Sequence, residues 1–151
     1  MSFSTDAQSK PVLIIGAGPT GLCLALWLNR LGISFRIIDQ ASGPGTTSRA
    51  IICHARTLEM YQSLGIAEDM ISHGSKLQNV TIAQQGQIRG SLKFGNIGTG
   101  LSPFPFILSL PRDIHERVLL DHLQRAGVTI ERSTTLESLK QHDDGVTARV
   151  C

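Results

Sequence analysis

Metal-ligand spacing, redox cysteine pairs, clustered charge and long apolar runs are all missing from this 151-residue sequence. Its three cysteines, Cys23, Cys53 and Cys151, form no C-x-x-C unit and no Cys/His ligand pattern. The five histidines are dispersed as well. A metal centre and a disulfide framework are therefore not expected, and a reduced, cytoplasmic setting is. Basic residues are scattered and the net charge is only +2, so nothing supports a nucleic-acid partner. The longest uninterrupted apolar run, Leu22 to Leu28, is far shorter than the ~20 residues that cross a bilayer, and no membrane association is expected. Met1 to Lys10 is polar and lacks the apolar centre of a secretion signal. Internal repeats and low-complexity stretches are absent too. What remains, with 41% hydrophobic residues, is the composition of one ordinary globular domain.

Against that plain background one segment stands out. Val12-Leu13-Ile14-Ile15 is an apolar run, and Gly16-Ala17-Gly18-Pro19-Thr20-Gly21 follows with the spacing G-x-G-x-x-G. Each glycine has its own physical task in a strand-turn-helix that holds a dinucleotide. Gly16 lets the chain leave the strand in a tight turn. Gly18 removes a side chain that would keep a pyrophosphate from the backbone. Gly21 allows the helix to pack close to the strand it came from. Free N–H groups and the partial positive charge of the helix N-terminus then face the diphosphate.

The surroundings fit this reading. A helix is expected from about Pro19 to Leu31, with Gly32 after its end. A second apolar run, Phe35 to Ile38, ends in Asp39, 18 residues beyond Gly21. An acid about 20 residues past the glycines suits the hydroxyls of an adenosine ribose. The same carboxylate repels a 2′-phosphate, so NADP is disfavoured at this position.

Further along, Gln40 to Ser48 reads as a polar loop, Ala55 to Leu64 as a helix stopped by Gly65, and Ile66 to His73 as a shorter helix. The period then changes to alternation. Val80 and Ile82, then Ile88, Leu92 and Phe94, predict a hairpin turning near Gln85-Gly86-Gln87. Phe104 to Leu110 reads as a strand. Pro111 introduces a third clear helix, in which Asp113 and Glu116 have the spacing of a capping box. Val128 to Ile130 is expected to return as a strand to the first sheet. Leu136 to Lys140 and Val146 to Val150, around Asp143-Asp144-Gly145, predict a last hairpin.

The opening VLIIGAGPTGLCLAL, the strand end IIDQ, the run SRAIICHARTLEMYQSLGI and the segment LPRDIHERVLLDHLQRAGV together carry a resemblance. The chain resembles the N-terminal part of the class A FAD-dependent aromatic-ring hydroxylases, the flavoprotein monooxygenases related to phenol and para-hydroxybenzoate hydroxylases. The resemblance implies an α/β fold: a Rossmann-like βαβ unit with a parallel sheet, plus β-hairpins of an incomplete second layer. It implies residues 1–75 as the βαβ unit and helices, 76–110 as the start of a substrate-side sheet, and 111–151 as a return to the FAD-binding sheet. FAD is the implied cofactor, NADH or NADPH the external reductant, and a small aromatic molecule the substrate.

By position, Gly16, Ala17, Gly18, Pro19, Thr20 and Gly21 correspond to the pyrophosphate turn, and Asp39 with Gln40 to the adenosine ribose site. Arg49 and Arg112 fall where the family places cofactor contacts. No catalytic residue and no metal ligand is assigned. Glu116 reads as a cap, Arg56 and Glu59 as partners within their own helix, and His54 and His115 as surface residues. Relatives continue into a Gly-Asp motif and most of the substrate pocket, which this sequence lacks. The expectation is thus an FAD-binding portion, incomplete for turnover, marginally stable alone and in need of a completing segment or subunit. A non-catalytic nucleotide-binding remnant and an NAD-binding subunit of another oxidoreductase stay open as alternatives.

Overall fold

The computed structural model describes residues 12–45, 50–95 and 98–151. In chain order these give β1 (Val12–Ile15), α1 (Pro19–Arg30), β2 (Phe35–Ile38), β3 (Ala50–Cys53), α2 (Ala55–Leu64), α3 (Ala67–Ser72) and β4 (Ser75–Leu77). β5 (Asn79–Gln84), β6 (Gln87–Lys93), β7 (Ile107–Pro111), α4 (Arg112–Arg125), β8 (Leu136–His142) and β9 (Gly145–Val150) complete the order. The chain divides into two compact units, one of Met1–Pro44 with Leu123–Cys151 and the other of Gly45–His122.

In the first unit β1 and β2 pair in parallel, from Val12 opposite Phe35 to Ile15 opposite Ile38. Two parallel neighbours need a crossover between them, and α1 supplies it. Its leucine-rich stripe buries Leu22, Ala25, Leu26 and Leu28, while Ile14, Ile37 and Ile38 are buried on the strands. This is the βαβ unit that the glycine spacing predicts. The expected strand at Val128–Ile130 does not form. The chain instead meets β2 through one parallel bridge between Ile38 and Glu131. Glu131 N donates to Ile37 O and Asp39 N to Glu131 O, both at 2.9 Å. Charge explains the later register: Arg36 Nε and Nη2 grip the two Glu131 carboxylate oxygens at 2.8 and 2.7 Å. The hairpin of β8 and β9 follows as expected.

The second unit is built on an antiparallel sheet ordered β3-β7-β4. β7 is central, and its Leu108 and Leu110 are fully buried. Leu58, Tyr61, Ile66, Met70 and Leu119 from the helical segments fill this core. Neither β3 nor β4 was anticipated from sequence; each is too short, at four and three residues, to show a period. β7 begins at Ile107 rather than Phe104 and runs into Pro111, directly before α4. The hairpin of β5 and β6 turns at Gln85 and Gly86, both with positive φ, as a two-residue turn requires. Val80, Ile82, Ile88 and Leu92 are exposed on it. The fold class is the mixed α/β one expected, with a parallel pair and antiparallel hairpins.

Candidate functional site

The corner between β1 and α1 is made by backbone geometry. Gly16 has φ +100°, a conformation that side chains with a Cβ rarely adopt. A Cβ on Gly21 would stand 2.0 Å from Gly16 O, so only glycine permits the helix to approach. Gly16 N donates to Ile38 O at 2.8 Å, which ties the corner to the end of β2. Gly18 is the N-cap of α1, in extended conformation, with no side-chain cap. Pro19 occupies the first turn, where its missing N–H costs nothing, and no acidic side chain lies in that turn. The helix thus begins with backbone donors that no capping side chain covers, the local chemistry that attracts an anion.

Asp39 faces this corner. Its Oδ2 accepts from Ala17 N at 2.5 Å and its Oδ1 from Ala41 N at 2.7 Å. Arg132 Nη1 stands 3.7 Å from Oδ2, with both side chains largely buried, and also donates to Gly43 O at 3.5 Å. A carboxylate offers about four acceptor positions, so two backbone contacts leave capacity for hydroxyl donors. A cleft of about 370 Å³ opens here, lined by Ile15, Gly16, Ile38, Asp39, Gln40, Thr134, Thr135 and Leu136. Thr134 N donates to Asp39 O at 3.0 Å, which brings that segment to the strand end.

Gly16 to Gly21, Asp39 and Gln40 are therefore gathered in the first unit. Arg132 and the Thr134–Leu136 wall were missed from sequence. Their signal is weak, because a polar stretch after a helix says nothing about where it lands. Arg49 lies outside the described residues.

Arg112 belongs to the second unit, at the start of α4. Its Nε donates to Glu116 Oε1 at 2.8 Å, and Glu116 Oε2 accepts from Gly45 N at 3.3 Å. Glu116 is 3% exposed. Its carboxylate is thus committed to Arg112 and Gly45, not to a capping box. The helix starts one residue before Asp113, which places that acid inside the first turn. His115, expected at the surface, is buried and hydrogen-bonded through Nε2 to Tyr61 Oη at 2.7 Å. Burial holds its pKa below the ordinary imidazole value, with Glu116 opposing that shift. Arg56 pairs with Glu59 on one helix, as expected, and Ser102 Oγ also donates to Glu59 at 2.8 Å. Those two hydrogen bonds hold the Glu59 carboxyl below its usual range, Ser102 more than Arg56.

Among the described residues no helix is long and apolar enough to cross a membrane, and no group of three or more His, Cys, Asp or Glu could hold a metal ion.

The chain is 37% identical over 147 residues to 6-methylpretetramide 4-monooxygenase of Streptomyces rimosus, covering 96% of this chain and 26% of that protein. It is 34% identical over 146 residues to pentachlorophenol 4-monooxygenase of Sphingobium chlorophenolicum, covering 96% and 26%. Among solved structures, the flavin-dependent monooxygenase PieE in complex with FAD and substrate superposes with a TM-score of 0.83 at 31% identity, over 93% of this chain and 26% of that one. The chain thus spans about a quarter of the length of these relatives. A glycine corner occurs in many nucleotide-binding proteins, but the model of one family, described as an FAD binding domain, matches residues 9–151. On that match the chain belongs to the FAD-binding-domain family, whose relatives here are flavin-dependent monooxygenases.

Proposed function

We propose that this chain supplies the adenosine-diphosphate side of the FAD site in a monooxygenase that hydroxylates an aromatic substrate with NAD(P)H and O2. The observation that carries the reading is Asp39, held on Ala17 N within the glycine turn, beside a cleft that Gly16, Gln40 and the Thr134–Leu136 segment line. A glycine turn whose helix-start donors no side chain caps, next to an acid with free acceptor capacity, fits a diphosphate and its ribose.

In this reading the free amides of Gly18, Thr20 and Gly21 take the pyrophosphate and Asp39, held by Ala17 N, with Gln40 takes the ribose hydroxyls. Arg49 and Arg112 contribute positive charge to the cofactor. Bound FAD supplies the redox and oxygen-transfer chemistry; these residues supply orientation and affinity. Further protein completes the isoalloxazine and substrate chamber, and NAD(P)H from the cytoplasm is the reductant. The exposed apolar residues of the β5–β6 hairpin favour such a completing segment.

Expression followed by gentle purification and visible absorption tests the reading. A yellow protein with flavin bands, whose released cofactor is FAD, is the expected result. A colourless protein that retains ADP or NAD points to an NAD-binding subunit. A protein that neither retains nor takes up nucleotide points to a non-catalytic remnant.

A further inference from the structure

Glu116 is the most deeply buried ion-paired carboxylate among the described residues, and its two oxygens serve different segments. Oε1 accepts from Arg112 Nε, one turn back on α4, at 2.8 Å. Oε2 accepts from the main-chain N–H of Gly45 at 3.3 Å. Burying a charge is costly unless it is paired and hydrogen-bonded, and here both oxygens are engaged. Arg112, by contrast, is 46% exposed. One of the five guanidinium donors is used on Glu116, which fixes the plane of the fork and leaves the others for an outside acceptor. Gly45 stands four residues before Arg49.

We infer that Glu116 is a positioning residue for the cofactor. It holds the Arg112 guanidinium in a fixed orientation, while Gly45 N–H engages its other oxygen. This inference rests on the reading of Arg112 as a cofactor contact. Glu116 itself touches no ligand; it acts on the cofactor through Arg112. Two acceptors are the chemical requirement. Glutamine has the same shape but one acceptor and one donor, so it keeps one contact and sets its NH2 against the other donor.

The test combines FAD titration, followed by flavin fluorescence, with amide hydrogen exchange at Gly45, on wild type, E116Q, E116A, R112A and the R112A/E116Q double variant. The inference predicts about tenfold weaker FAD binding for E116Q, the scale of one charge-assisted hydrogen bond. In the R112A background E116Q then has no further effect on FAD binding, and Gly45 exchanges faster in E116A, which leaves its N–H no acceptor. E116D, with both acceptors on a shorter stem, recovers part of the affinity. Equal weakening by E116Q with and without Arg112 overturns the inference, because mere packing produces that pattern. Unchanged FAD affinity in E116Q, or unchanged Gly45 exchange in E116A, overturns it as well. Failure of the wild type to bind FAD overturns the flavin reading instead, and Gly45 exchange then decides alone whether the clamp exists.

Discussion

The glycine corner and the second turn of α4 each set a carboxylate against main-chain N–H, yet they do so to different ends. Asp39 accepts from Ala17 N and Ala41 N at the edge of a cleft, where a ligand can reach it. Glu116 accepts from Gly45 N and Arg112 behind a nearly closed surface. An accessible acceptor with spare capacity can exchange partners, whereas a buried one with both oxygens engaged can only hold them. The first arrangement suits binding and the second suits support.

The largest expected effect lies at the corner. Gly21→Ala drives a Cβ into the backbone oxygen of Gly16 and should cost about 3 kcal/mol, the upper end of what overpacking does. Thermal unfolding of the variant checks this; a melting temperature like the wild type's would show that the corner yields. Glu116→Ala comes next, leaving Gly45 N–H and Arg112 without their acceptor. About 2 kcal/mol of destabilisation in urea is expected, and a loss below about 0.5 kcal/mol would remove the contrast between the two acids.

Asp39→Ala should affect ligand more than fold. About tenfold weaker ADP binding is expected, the worth of one charge-assisted contact. Isothermal titration reads it, and unchanged affinity takes Asp39 out of the site.

The pH dependence of the second unit sharpens the comparison further. Burial depresses the His115 pKa in the folded state. The unfolded chain therefore takes up a proton below the usual value near 6.5 while the folded chain resists it. Stability is full above that pH and falls as the pH drops below it, toward the folded-state pKa. Unfolding curves between pH 7.5 and roughly 5 follow it; His115→Gln should flatten the slope, and an unaltered slope would assign the proton elsewhere. The smallest effect belongs to Glu131→Gln. Its pair with Arg36 is about two-fifths exposed on both sides, so no more than about 1 kcal/mol is expected, shrinking with added salt.

These two sites also differ in how legible they were. Gly16, Gly18, Gly21 and Asp39 are fixed by local backbone demands at set spacings, and spacing is what a sequence displays. The helices Pro19–Arg30 and Ala55–Leu64 carried their own stripes and stops, and both hairpins carried alternation and turn residues. Glu116 looked like a cap because Asp113 stands three residues before it; nothing local announces a partner 71 residues away at Gly45. His115 hid its burial in the same way, since Tyr61 is 54 residues distant. The return to β2 comes at Glu131 and not at Val128–Ile130; Glu131 meets Arg36, 95 residues earlier, a partner that nothing local announces. Short strands such as Ala50–Cys53 are settled by their neighbours in the sheet, not by their own composition.

Competition between two halves of FAD tests the account most directly. Titrating ADP and FMN separately against FAD-loaded chain should show ADP displacing FAD and FMN leaving it in place, since the contacts proposed for the first unit serve the adenosine side. Displacement by FMN with ADP inert would place the cofactor's grip elsewhere and contradict the corner at Gly16 to Gly21 as its seat.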